Sequence, residues 1–251
     1  LWPARGPRWT RRSSISRRRR VKLPGIVAEA LELQRLPGVA IEMSGDERCR
    51  ELYEAFTRPH ARWRLIQNKA WGVALLSIPE RYDDYLHVPD RSHLRREVNR
   101  ATRAGFTFAP LDPFARLDEV MAINGSAEER QGRPMHPAYT DEQAVRHYFE
   151  GASDVFGVTD AAGLLRAYLC LRTCGEVACV ERLLGHADAL RQGVVWVLIT
   201  GAIRELIERR QDMGHPTWLM YDMFSGASQG MRQFKTWVGF EPYRVSWSWR
   251  D

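Results

Sequence analysis

Beyond residue 24, the spacing of apolar and polar positions divides the chain into short segments of two periods. Residues 38–43 (GVAIEM) form a strand candidate, and 46–56 place Leu52, Ala55 and Phe56 at helical spacing. Residues 62–78 read as two strands, RWRLIQ and WGVALLSI, turning at Asn68 and Lys69. A very basic helix is predicted over 93–104 (HLRREVNRATRA), stopped by Gly105, with a strand over 106–109 after it. Helices at 117–130 and 141–149 flank a loop that carries two prolines. The second half is more regular. Strands at 155–159, 164–172 and 177–184 precede an apolar helix over 193–210. A strand at 218–224, a helix at 230–238 and a strictly alternating strand at 243–249 follow. The order β–β–β–α–β–α–β predicts a mixed α/β sheet rather than a doubly wound one.

The chain has 251 residues, of which 44% are hydrophobic and 27% charged, proportions that exclude collagen-like and wholly disordered classes. No apolar run reaches the roughly 18 residues of a membrane span, so no span is expected. The net charge of +6 is unevenly placed. Nine basic side chains and no acid lie between Arg5 and Lys22, and removing these nine from the 37 leaves 28 basic against 31 acidic side chains. Residues 1–24 therefore read as a disordered basic arm, suited to RNA, DNA or an anionic surface, ahead of a slightly acidic body. No apolar stretch follows the arginines, so no cleavable signal is expected.

Of the four cysteines, Cys170, Cys174 and Cys179 are closely spaced but lack companions at zinc-finger spacing. They read as small buried apolar groups, with Cys170 and Cys174 on one face of a strand, and no metal site is expected. The default compartment is then reducing and cytoplasmic.

Several positions carry candidate chemistry. Arg91, Arg95, Arg96, Arg100 and Arg103 make one basic helix stripe that suits phosphate, RNA or an acidic substrate, or a solvated face. The loop ending Arg191-Gln192-Gly193 opens the long apolar helix, whose first amides and neighbouring guanidinium suit a pyrophosphate. Asp222, in an otherwise apolar strand after Tyr221, needs a partner if buried. Helical spacing turns Met231, Phe234 and Val238 inward and leaves Lys235 on a flank, and period two puts Glu181 opposite Val180 and Arg182.

The element order over 155–249 resembles the GCN5-related N-acetyltransferase (GNAT) fold. Two segments resemble its FemAB-like branch: the basic helix 92–105, similar to R-x-x-I-x-x-A-x-x-x-G, and 230–240 (GMRQFKTWVGF), similar to G-L-x-x-F-K-x-x-F-G. Residues 127–133 (AEERQGR) resemble the branch's segment between two tandem units. The resemblance implies a degenerate GNAT-like half over 25–110 and a complete acyltransferase unit over 111–251. It implies direct transfer of an acyl or aminoacyl group, from acyl-CoA, acyl-carrier protein or aminoacyl-tRNA, to an amine of a small molecule or peptide. It assigns Lys235 to the donor end of the reaction, beside Tyr221 and Asp222, with Glu181 as general base. Leu184, Arg191, Gln192 and Gly193 fall at the donor loop, and Arg95, Arg96, Arg130 and Phe234 at substrate positions. The donor loop is one residue shorter than R/Q-x-x-G-x-G/A and lacks its second small residue, which argues against CoA. The alternative is a non-catalytic nucleic-acid-binding protein on a degenerate GNAT fold.

Overall fold

The computed structural model describes residues 33–61, 64, 66–130 and 133–250. The expected arm at 1–24 lies outside the described residues, as does most of the strand expected at RWRLIQ, where the described pairing is a single bridge from Pro59 to Gln67.

The N-terminal elements are β1 (Gly38–Met43), α1 (Glu47–Thr57), β2 (Trp71–Ser77), α2 (Tyr82–His87), α3 (Ser92–Arg103) and β3 (Thr107–Pro110). Next come α4 (Leu117–Gly125), a hairpin of β4 (Glu129–Arg130) and β5 (Arg133–Pro134), and α5 (Glu142–Glu150). The chain closes with β6 (Asp154–Thr159), β7 (Leu165–Cys174), β8 (Val177–Gly185), α6 (Ala187–Leu190), α7 (Val194–Met213), β9 (Trp218–Met223), α8 (Gln229–Val238) and β10 (Glu241–Trp249). Local chemistry fixes many of the ends. The carboxylates of Asp46 and Asp141 accept from Cys49 and Ala144 amides at 2.9 and 2.7 Å, capping α1 and α5. Gly214 and Gly239 take left-handed conformations that close α7 and α8.

Eight strands form one mixed sheet in the order β1-β10-β2-β9-β8-β7-β6-β3. The β1/β10 and β8/β9 pairs are parallel and the others antiparallel. Strand β2 lies between β9 and β10, so the segments 25–110 and 111–251 share one sheet, and Leu36–Asp251 form one compact unit. Strand β2 carries no polar side chain from Trp71 to Leu76, because its residues from Gly72 to Leu76 are buried on both faces. Ala74 and Leu76 join a core under α2, α3, α7 and α8, whereas Val73 and Leu75 join one under α1. A third cluster, including Val120, Val145, Phe149 and Cys170, packs α4 and α5 on that second face.

Three expectations are corrected. Helix α4 stops at Gly125, and Arg130 belongs to the β4/β5 hairpin rather than to a helix. Helix α2 was not expected, because six residues are too few for its periodicity to stand out. Cys174 is not a free apolar side chain: it is joined by a disulfide to Cys49 of α1, at a Cα–Cα distance of 5.5 Å. Cys170 and Cys179 remain free and buried. No described helix is long and apolar enough to cross a membrane.

Candidate active site

The site originates where β8 and β9 stop pairing. Their parallel register covers only Val177–Trp218, Ala178–Leu219 and Cys179–Met220, after which β8 continues to Gly185 and β9 to Met223. A register shift opposite Cys170 and Leu171 inserts Glu181 as an extra residue in β8. This bulge corrects the period-two reading, because Glu181 and Arg182 both turn toward the α4/α5 face, where they meet Arg172 and Tyr148.

Two cavities open at the splay. The first, of about 510 Å³, lies between β8, β9, α1 and the β4/β5 hairpin, with Phe56, Leu184 and Met220 among its apolar walls. The second, of about 520 Å³, lies between the end of β9 and the start of α8, and Lys235 lines it. Arg130, Tyr221 and Asp222 line both, so the cavities meet at these three residues.

Lys235 is buried, only 2% exposed, rather than lying on a solvated flank. Its ammonium donates to the Met223 carbonyl at 2.7 Å and sits 4.8 Å from the centre of the Tyr221 ring. Burial lowers its pKa to about 8; Asp222 opposes that shift and Lys69 adds to it. The Tyr221 phenol is pushed up to about 12 by burial and then by Asp222, and so stays protonated at neutral pH. Asp222 has a left-handed backbone, φ 52°, and its carboxylate pairs with Lys69 from the turn before β2. A non-glycine residue held there at the end of a strand stores strain at the junction of the cavities. Phe234 stacks on Trp196 at 4.8 Å between ring centres and meets the Tyr221 ring edge-on at 6.2 Å.

The other expected residues divide clearly. Glu181 lines the first cavity, but its carboxylate accepts from Arg172 Nε at 2.9 Å, not from Arg182. Arg130 lines both cavities while its guanidinium bonds the carbonyls of Gly185 (3.0 Å) and Ile123 (2.8 Å). Leu184 lines the first cavity. Arg191, Gln192 and Gly193 lie outside both, at the start of α7. There the amides of Gln192 and Gly193 donate to Ala189 and Leu190 carbonyls within the turn, and the Arg191 carbonyl accepts from Arg100. The amides of Gln192 and Gly193 are therefore engaged within the turn. Arg95 and Arg96 stand on α3, whose Leu94 and Ala101 pack in the core on the opposite face from the first cavity. Arg95 donates to the Leu86 carbonyl at 3.4 Å and Arg96 is exposed, so neither is brought to Lys235. Sequence reasoning missed Lys69 and Arg182, both lining the first cavity. The bulge that aims Arg182 leaves no mark in an apolar–polar pattern. Among the described residues no group of three or more metal-ligating side chains converges.

The central parallel pair of the mixed sheet thus splays beside a helix that carries a buried lysine. The chain is similar over part of its length to several solved structures. One is the C-terminal domain of a lysylphosphatidylglycerol synthetase from Agrobacterium fabrum (18% identity, 68% of this chain, 57% of that one, TM-score 0.43). Another is FemX (9% identity, 68% and 59%, TM-score 0.49). A third is a tandem GNAT protein from the clavulanic acid biosynthesis pathway (17% identity, 90% and 68%, TM-score 0.43). The chain spans under three fifths of the first two of these proteins. Neither a family model nor a curated protein matches it.

Proposed function

We propose that this protein is an N-acyltransferase that moves an acyl or aminoacyl group directly from an activated ester or thioester to a primary amine. The observation that carries the reading is the buried Lys235 ammonium at the junction of two cavities, beside Tyr221 and Asp222. Two reactants can approach one carbonyl from the two sides. The amine nitrogen attacks the carbonyl carbon, and the Lys235 ammonium, mostly protonated at pH 7, holds the developing oxyanion. The C–N bond forms as the C–O or C–S bond breaks. The Tyr221 hydroxyl supplies the proton that the leaving group takes. The proton lost by the amine passes through the Asp222 carboxylate to water, and water reprotonates Tyr221. A covalent acyl-enzyme has no support: burial pushes the thiols of Cys170 and Cys179 up to about 12.

Two observations favour an aminoacyl ester carried on RNA over CoA. The Gln192 and Gly193 amides before α7 are engaged within the chain, and Trp196 in the first turn of α7 stacks on Phe234 of α8. Arg96, Arg100 and Arg103 meanwhile form an exposed stripe on α3, next to the exposed Arg191. The test is transfer by the full chain from acyl-CoAs and from aminoacyl-tRNAs to amino acids and short peptides, with amide products read by mass spectrometry. Product is expected with a tRNA donor and is expected to fall about 100-fold in Lys235→Met. Equal product from the variant would overturn the reading.

A further inference from the structure

We propose that the first cavity is the acceptor site and that its occupant is an amine carrying a carboxylate, which is held by Arg182 and Arg130. The inference deepens the acyl-transfer reading and rests on it. It comes from a charge account of the lining. The cavity is lined by the cations Lys69, Arg130 and Arg182 and by the anions Glu181 and Asp222. Both anions are already paired: Asp222 with Lys69, and Glu181 with Arg172, which lies outside the lining. Arg130 and Arg182 therefore have no carboxylate partner among the described residues. Each also leaves one buried nitrogen, Arg130 Nε and Arg182 Nη1, without an acceptor.

Unpaired guanidinium charge inside a protein is costly unless something supplies the opposite charge. Both are held in place by other means. Arg182 lies 3.3 Å from the centre of the Tyr148 ring and 4.4 Å from that of Tyr139. Arg130 is anchored on the Gly185 and Ile123 carbonyls. Held this way, both guanidinium groups are already fixed beside the cavity that their side chains line. The carboxylate is assigned to the acceptor rather than the donor because Lys235, the group proposed to act on the donor carbonyl, lines only the second cavity. The first also has apolar walls at Phe56 and Met220, suited to an apolar amino acid.

The test measures binding to the full chain by calorimetry without any acyl donor, so it is independent of whether transfer occurs. The probes are L-leucine, L-methionine and L-phenylalanine, their amides, and inorganic pyrophosphate. At least one free amino acid should bind about tenfold or more tightly than its amide, the worth of a hydrogen-bonded charge. Arg182→Met should erase that ratio while leaving the amide's affinity unchanged, and Arg182→Lys should restore part of it. Three outcomes would overturn the proposal: equal binding of acid and amide, an unchanged ratio in Arg182→Met, or binding of pyrophosphate alone, which would give the cavity to the donor. Loss of the ratio in Arg182→Met with no transfer from any donor would sink the acyl-transfer reading and leave the carboxylate site standing.

Discussion

The Lys235 ammonium lies 4.8 Å from the centre of the Tyr221 ring, with one of its protons on the Met223 carbonyl at 2.7 Å. Helix α8 delivers the cation and β9 delivers the ring, so the contact joins the two elements that bound the second cavity. It follows that the lysine has two roles that mutation can separate, one in charge and one in packing.

The charge has a stability consequence with a definite sign. In the folded chain Lys235 titrates near 8, below the ordinary 10.5, because burial penalises the ammonium. Between those values the unfolded chain binds more protons, so stability rises with pH there. The penalty is fully present below about pH 8. Lys235→Met should therefore be more stable than wild type by about 1–3 kcal/mol at pH 7, with the difference narrowing from pH 8 toward 10.5. Urea denaturation of both proteins at several pH values measures it.

Asp222 raises the Lys235 pKa, and its own left-handed conformation is one that asparagine tolerates. Asp222→Asn should change stability by no more than about 1 kcal/mol, because the pair with Lys69 is partly exposed. It should also move the Lys235 titration to lower pH. Chemical-shift titration of the Lys235 side chain reads this directly.

Glu181 is expected to act on structure before chemistry. Glu181→Gln leaves the buried Arg172 guanidinium without a carboxylate at Nε and should cost about 1–3 kcal/mol. Arg172→Met with Glu181→Leu, which removes both charges, should recover much of that loss. Thermal unfolding of the three variants tests the coupling.

The Cys49–Cys174 disulfide closes a loop with a sequence separation of 125 and ties α1, a wall of the first cavity, to the end of β7. Reduction should lower stability by about 2–4 kcal/mol. A maleimide count by mass spectrometry should find no thiol labelled in the native chain, two in the unfolded chain, and four after reduction.

Much of the sheet was legible because its signals are local. The run of β2 and the alternation of β10 each carry their own period, and Asp46 and Asp141 mark helix starts chemically. The site was less legible, for three physical reasons. A lysine inside an amphipathic helix reads as outward-facing, and only the Met223 carbonyl and the Tyr221 ring, both on β9, show why Lys235 turns inward. The bulge at Glu181 reverses the facing of every later β8 residue without changing composition. Partners such as Lys69 with Asp222 and Cys49 with Cys174 are more than 120 residues apart, beyond any periodic signal.

The central claim, that a protonated Lys235 stabilises the oxyanion, is tested most directly by the pH dependence of one ratio. Acyl-transfer rates of wild type and Lys235→Met are measured with the same donor and acceptor from pH 6 to 10, so that ionisation of the acceptor amine cancels. The account predicts a ratio of about 100 below pH 8 that collapses as the ammonium titrates. A ratio that stays constant, or rises above pH 8 as expected for a neutral lysine acting as base, would contradict it.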